Sequence, residues 1–287
     1  MIAAVAFAMA GCATDSACEK APRKNIAVQM YSMRDDIKKD YDGSIKKLGE
    51  MGFTAVEAAG YGNGKFYGKT PEDFKAGIEA AGMKVLSSHT AKQLSKKELE
   101  TGDFSESMKW WDECIAAHKA AGMKYIVAPW MSVPKTLKDL KTYCDYYNEI
   151  GKRCKAAGIS FGYHNHAHEF QKVEDKVMYD YMLENTDPNL VFFEMDVYWT
   201  VRGQKAPVDY FKKYPKRFKL LHIKDEKELG ESGMVGFDAI FKHAGEAGME
   251  YPVVEVERYS FTPAESIKKS LDYLRKAPFV LANYFGE

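Results

Sequence analysis

The sequence predicts a single-domain α/β fold, a (β/α)8 or TIM barrel, over residues 25–287. Three observations carry that prediction. First, one junction recurs: EMGFTAVE at 50–57, AAGMKVLSSH at 80–89, AAGMKYIVAP at 120–129, AAGISFGYHN at 156–165 and EAGMEYPVVE at 246–255. Each closes a helical pattern with a glycine, which can take the left-handed conformation that ends a helix, and then begins a β-branched or aromatic run. Second, the spacings from Gly52 to Gly82 to Gly122 to Gly158 are 30, 40 and 36 residues. That is the size of a βα unit and too irregular for a solenoid. Third, chemistry-bearing residues gather at one end of the strands only.

Taken in order, strands are expected at 25–31, 53–58, 83–89, 124–128, 159–166, 190–196, 218–224 and 251–257, with helices such as 104–121 and 135–157 between them. KTPEDF at 69–74 opens a further helix. Thr70 is its N-cap, Pro71 its first residue, and acids fill its first turn. Eight strands alternating with helices is the count of the barrel. An open doubly wound sheet would carry a phosphate-binding glycine turn after its first strand, where this chain has QMYSMRDD. The glycine-rich AGYGNGKFYGK at 59–69 reads as a mobile lid.

The first 24 residues differ from the rest. MIAAVAFAMAGC is apolar and small, ends in Ala10-Gly11-Cys12, and resembles the lipobox of a bacterial lipoprotein signal. It is too short to span a bilayer. The polar run ATDSACEKAPRK follows as a tether would. Residues 1–24 are therefore expected to be signal and tether, with Cys12 lipidated and the protein anchored at the periplasmic face or cell envelope. No cysteines form a CxxC pair, and Cys114 and Cys154 fall in apolar helical patterns, as core residues do. With 41 basic and 41 acidic residues there is no electrostatic reason to expect nucleic acid as a partner. The 18 tyrosines and 16 phenylalanines suit a large core, and also a pocket that stacks on sugar rings.

In such barrels the active site forms at the C-terminal strand ends. Those ends carry Tyr31, Glu57, His89, Trp130, His164 with His166, Asp196, His222, and Glu255 with Glu257. Four of them suggest a metal cage: His164 in FGYHNH, Asp196 in VFFEMDVYW, His222 in KLLHIKD and Glu255 in PVVEVE, each closing an apolar strand. A buried carboxylate or imidazole among others needs a countercharge, which a divalent cation supplies. Two imidazoles and two carboxylates suit Mn²⁺, Co²⁺, Zn²⁺ or Fe²⁺ better than Ca²⁺. His166 is two residues from His164, so strand alternation would put both on the lumen face. His168 falls in the following loop as a solvated residue. Lys224, two residues after His222, is either a substrate-facing acid or a solvated charge. Trp130, Trp199, Tyr31 and Tyr198 are candidate apolar faces for a pyranose.

On these motifs, residues 25–278 resemble the xylose-isomerase-like barrel family of sugar phosphate isomerases and epimerases, which also includes inosose dehydratases, keto-sugar epimerases and type IV apurinic endonucleases. The resemblance implies one divalent metal held from strands 5 to 8. The family's strand-5 glutamate falls on His164, its strand-6 aspartate on Asp196, its strand-7 histidine on His222 and its strand-8 glutamate on Glu255. His164 is a departure. In keto-sugar epimerases the strand-5 and strand-8 glutamates also move the proton, so the base role passes here to His166, with Glu255 or Glu57 behind it. The endonuclease branch needs a histidine where this chain has Trp199, and an Asp-x-His pair that is not found near Asp225. The implied activity is proton abstraction beside a sugar carbonyl, giving isomerisation or epimerisation. Elimination on keto-sugars or 3-keto-glycosides is the runner-up, and a non-catalytic carbohydrate-binding lipoprotein is the alternative of another class. Expected to contact the sugar are His89, Trp130, Trp199, Glu257 and Tyr31.

Overall fold

A computed structural model describes residues 23–284. Its eight main strands are β1 (Ala27–Gln29), β2 (Ala55–Ala58), β3 (Lys84–Ser88), β4 (Tyr125–Ala128), β5 (Ser160–His164), β6 (Val191–Asp196), β7 (Phe218–Ile223) and β8 (Tyr251–Val254). All pair in parallel, in the spatial order β3-β2-β1-β8-β7-β6-β5-β4. The ring closes where β3 meets β4. His89 bridges Val127, Lys124 N donates to Leu86 O at 3.0 Å, and Thr90 N donates to Val127 O at 2.8 Å. The fold is thus the (β/α)8 barrel that the junctions predicted.

The junction glycines do what the sequence asks of them. Gly52, Gly82, Gly122, Gly158 and Gly248 have φ between 77° and 97°, a region open to glycine and costly for other residues. Thr70 caps the helix Pro71–Ala80 by accepting from Asp73 N. The helices Ser105–Ala120 and Leu137–Ala157 fall within two residues of expectation. Cys114, Cys144 and Cys154 are buried and free.

Strand ends differ more. β1 stops at Gln29 and gives way to a 3-10 turn, Met30–Met33, so Tyr31 is not on a strand. β5 stops at His164 and β8 at Val254. His166, Glu255 and Glu257 are therefore loop residues, and pleat alternation does not orient His166. The segment read as a mobile lid is a packed hairpin, Tyr61–Gly62 against Lys65–Phe66. Phe66 in it is fully buried, stacked on Phe74 at 5.1 Å.

Cys12 and most of the expected tether lie outside the described residues. Arg23 and Lys24, assigned to the tether, contact the barrel: Arg23 donates to Gly52 O and Phe53 O, and Lys24 to Leu274 O and Ala277 O.

The main core lies between the sheet and the helices, with Phe53, Phe74, Trp111, Tyr146, Phe161 and Phe193 buried there. A smaller core fills the lumen: Ala27, Ala55, Leu86, Val127, Phe192, Leu220 and Val253. Gly162 serves this inner packing, because a Cβ there would lie 2.6 Å from the Phe192 ring. Above that apolar plug the lumen turns polar, since the next inward positions after the core residues of β1, β2, β5, β6, β7 and β8 carry Gln29, Glu57, His164, Glu194, His222 and Glu255.

Candidate active site

Register brings the polar residues together. Pairing of β6 with β7 sets Asp196 beside His222, and pairing of β6 with β5 sets Glu194 beside His164. The result is a fully buried cluster in two layers.

In the upper layer His164 Nε2 lies 3.6 Å from Asp196 Oδ2. His222 Nδ1 lies 3.9 Å from the same oxygen and 3.4 Å from Glu255 Oε2. One ligand atom from each of the four residues falls within 4.8 Å of all the others. Donors about 2.1 Å from a common cation stand about 3.4 Å apart when tetrahedral, so the spacing fits one ion.

Each of three residues has one atom held and one left over. His164 Nδ1 donates to Pro129 O at 3.3 Å. A carbonyl only accepts, so Nδ1 carries the hydrogen and Nε2 presents its lone pair. His222 Nε2 donates to Glu57 Oε1 at 2.7 Å, which leaves Nδ1 turned toward Asp196 and Glu255. Burial opposes its charge, but Glu194, Glu255 and Glu57 hold the imidazole well up, so a cation there would displace the Nδ1 proton. Asp196 Oδ1 accepts from Trp199 N at 2.8 Å as the cap of helix Val197–Arg202. The remaining atoms, His164 Nε2, His222 Nδ1 and Asp196 Oδ2, are buried without a hydrogen-bond partner. Buried polar atoms are nearly always satisfied, so three orphans converging on one point mark a place for a ligand. The donor set fits the divalent cation anticipated from sequence.

The lower layer is bonded mostly within itself, but Glu194 Oε1 is buried without a partner, and His89 and Glu194 form with His164 and His222 a second group whose ligand atoms lie within 4.8 Å of one another. Glu57 accepts from Gln29 Nε2 at 2.9 Å and Ser87 Oγ at 2.6 Å, besides His222. His89 Nε2 lies 2.7 Å from Glu194 Oε2 and 3.1 Å from Glu57. Glu57, a fallback base in the sequence reading, has both oxygens committed and lies beneath the metal ligands. It supports His222 and does not face the pocket. Glu194 was not anticipated. The signal was present, because Glu194 precedes Asp196 by two residues on one strand and so shares its face.

The electrostatics follow from burial and crowding. Burial pushes Asp196 up to about 6 against the pull of Lys224, and pushes Glu194 up to about 7 with the help of nearby Glu57. For Glu57 burial acts upward too, but His89 and His222 outweigh it and hold the carboxyl down. Two neighbouring carboxylates cannot both stay charged cheaply, and Glu57 has the better donors. Burial and the nearby His222 and His89 push His164 well down, so it is neutral and able to ligate. Lys224 is not a solvated loop charge, being 1% exposed. Its Nζ lies 2.8 Å from Glu257 and 3.8 Å from Glu255. Burial opposes its charge, but Glu255, Asp196 and Glu257 prevail and keep it protonated.

A pocket of about 330 Å³ opens above the cluster, lined by Tyr31, Ala59, His89, Pro129, Trp130, His164, His166, Glu255 and Glu257. Tyr31, His89, Trp130 and Glu257 are thus where a substrate would meet them. Trp199 is one step removed. Its ring lies 5.7 Å from that of His166, and the two line an adjacent cleft. Tyr198 is buried below Lys224 and offers no face. His166 N donates to Glu169 Oε2 at 2.8 Å, and its ring lies 5.0 Å from that of His164. Burial, then His164, push its imidazole down to about 3, the neutral form, and its Nδ1 is buried without a partner. His168 is also not freely solvated, since its Nε2 donates to Met131 O at 2.9 Å. A larger surface cleft, about 770 Å³, lies on the outer helices among paired charges such as Arg153 and Asp112, away from this cluster.

The family model for xylose isomerase-like TIM barrels matches residues 45–277. The chain belongs to that family. A solved sugar phosphate isomerase/epimerase from Parabacteroides distasonis ATCC 8503 is 38% identical, with a TM-score of 0.83 over 90% of this chain and 100% of that one. An inosose dehydratase from Clostridium perfringens (strain 13 / Type A) is 25% identical over 276 residues, 83% of this chain and 87% of that protein. One from Geobacillus kaustophilus is 22% identical over 200 residues, which span only 61% of that relative. Similarity to this xylose isomerase-like family thus covers sugar isomerase/epimerase and dehydratase members alike.

Proposed function

We propose that this protein is a metal-dependent sugar isomerase or epimerase that moves a proton beside a carbonyl. One observation carries the reading: three unpartnered buried atoms, on His164, Asp196 and His222, converge with Glu255 beneath a sugar-sized pocket. These four residues would hold one divalent cation, Mn²⁺, Co²⁺, Zn²⁺ or Fe²⁺ by donor type. When bound, the cation supplies Lewis-acid stabilisation of the negative charge that develops as the proton leaves carbon. His166 is the leading base by position, because it lines the pocket and stands beside the cage without belonging to it; the burial that keeps its imidazole neutral, pushed down to about 3, also makes it weakly basic. Glu255 is the fallback. His89 and Glu257 offer hydrogen bonds to sugar hydroxyls, and Trp130 and Tyr31 flank the opening. Trp199 Nε1, buried and unpartnered, adds a donor.

The proton's destination sets the reaction. Return to the neighbouring carbon isomerises, and return to the opposite face epimerises. Loss of a β-substituent eliminates, and this second reading is favoured by Lys224, a buried protonated group able to serve a leaving oxygen as acid. The inosose dehydratase relatives point the same way.

Metal-loaded protein incubated in deuterium oxide with keto-sugars and 3-keto-glycosides, followed by NMR, tests both. Deuterium at the carbon beside the carbonyl is expected, and the product separates isomerase from lyase. Sugars that bind without exchange would replace this reading with a carbohydrate-binding protein. The lipobox-like Ala10-Gly11-Cys12 supports anchoring at the cell envelope through Cys12. Cys12→Ala should then shift the protein to the soluble fraction, and unchanged membrane retention would count against the anchor.

A further inference from the structure

The pocket above the metal cage has a neighbour of a different character. A second cavity, about 500 Å³, adjoins it, and Tyr31 and Ala59 line both. The first is walled by imidazoles and carboxylates. The second is walled by Met30, Ile37, Tyr41 and Tyr67, with Arg34 and Lys38 at its side.

This second cavity is built from braced parts. The Tyr67 hydroxyl accepts from Ala59 N at 2.8 Å, fixing the shared wall. The Tyr41 and Tyr67 rings lie 5.6 Å apart. Arg34 sits 4.6 Å from the Tyr31 ring centroid and donates to the Tyr259 hydroxyl at 2.8 Å and Glu257 O at 3.2 Å. It therefore ties the cavity to the loop that presents Glu257 to the first pocket. The Tyr41 hydroxyl is buried and has no hydrogen-bond partner among the described residues. A buried hydroxyl normally finds a partner, and an occupant with one polar substituent would provide it.

We propose that this cavity is an aglycone subsite: it holds an aromatic group carried by a glycoside whose sugar ring occupies the metal-side pocket. The inference rests on the carbohydrate reading above and names its substrate class. Because the two cavities share Tyr31 and Ala59 in their walls, a substituent on a sugar in the first lies within reach of the second. Tyrosine walls with two cations alongside favour a flat aromatic ring over a second sugar. A sugar would need many hydrogen bonds, and Arg34 already gives three of its donors to Tyr31 O, the Tyr259 hydroxyl and Glu257 O.

Calorimetric titration of the metal-loaded full chain tests this with matched probes: methyl and 4-nitrophenyl glycosides of glucose and galactose in both anomers, and 4-nitrophenol alone. None of these sugars carries a carbonyl, so binding reads the cavity and not the chemistry. The aryl member of at least one pair should bind about tenfold more tightly than the methyl member, the effect of one well-packed aromatic ring. Lys38→Trp, an exposed substitution that fills the cavity from its mouth, should bring that ratio to about one. Absence of an aryl preference in every pair overturns the proposal, and so does a preference that survives Lys38→Trp. Deuterium exchange on keto-sugars without aryl preference removes the subsite and leaves the enolisation reading standing. Aryl preference sensitive to Lys38→Trp, without exchange on any sugar, upholds the subsite while that reading falls.

Discussion

The two layers of the buried cluster use the same residue types to opposite ends. Beneath, Glu57 has both oxygens bonded, and His89 is held by Glu194 and Glu57. Above, His164, Asp196 and His222 each leave one buried atom unpartnered. One imidazole belongs to both: His222 gives its Nε2 hydrogen downward to Glu57 and turns its Nδ1 upward to Asp196 and Glu255. An unsatisfied buried polar atom costs about 1–3 kcal/mol, so the upper layer is tolerable only with a ligand in view. The lesson is that composition alone does not mark a site. Satisfaction marks it more sharply: the lower layer leaves one buried atom unpartnered, Glu194 Oε1, and the upper layer leaves three on adjoining residues.

The comparison breaks first at Asp196. Asp196→Ala removes a ligand from the upper layer and should reduce metal retained after purification without chelators to background, measured by elemental analysis. Equal and negligible metal in wild type and variant would mean that the orphaned atoms do not form a cage. His166→Ala should act differently, because His166 stands beside the cage. We expect a loss of about 10²–10⁴ in kcat with metal content retained. Loss of metal together with activity would move His166 into the cage and displace His164 as the strand-5 ligand.

A finer cut separates the layers. Glu57→Gln keeps the shape but weakens the hold on His222 Nε2. As a change to an outer partner of a ligand, it should weaken metal affinity by about 10–100-fold without abolishing binding. Competition against a chromogenic chelator measures this. If Glu57→Gln loses metal as completely as Asp196→Ala, the two layers are one site and the distinction fails.

How far the sequence reached can be stated residue by residue. The barrel was legible because five of the helix-to-strand junctions turn on a glycine at positive φ, and those glycines stand in the chain where helices end. The convergence of His164, Asp196, His222 and Glu255 was legible because a lone charged residue ending an apolar strand is conspicuous. Glu194 was passed over although it shares the inward face of β6 with Asp196; what the sequence could not show is that His89, from the far side of the ring, bonds one of its oxygens. Glu57 was misassigned for a related reason: its partners Gln29, Ser87 and His222 come from three other strands, and only the closed ring brings them together. His166 was placed near His164 on the assumption of a continuing strand, whereas the strand ends at His164 and a turn held by Glu169 delivers the ring. The Gly-rich hairpin misled because loop composition conceals the buried anchor Phe66.

The smallest expected effect tests whether the two ends of the barrel are independent. At the N-terminal end Glu250 takes a hydrogen bond from Lys124 Nζ at 2.8 Å and one from the Tyr125 hydroxyl, and lies 3.3 Å from Lys219. Burial alone would push its carboxyl up, but these donors outweigh it and hold the group below its ordinary value. The sign of the linkage follows. A carboxyl lowered on folding contributes stability above its unfolded pKa, about 4.3, and loses it as pH falls through the folded value. Glu250→Gln should therefore cost about 1 kcal/mol near neutral pH. That is about 2 °C in Tm for a chain of this size. Measured by thermal unfolding of metal-free protein, the gap between variant and wild type should narrow as pH drops below about 4. Metal affinity at neutral pH should not change, because the apolar plug of Leu86, Phe192 and Leu220 separates Glu250 from the cage. A gap that widens at low pH would reverse the sign of the Glu250 interaction, and a fall in metal affinity would show that the plug transmits what it is argued to insulate.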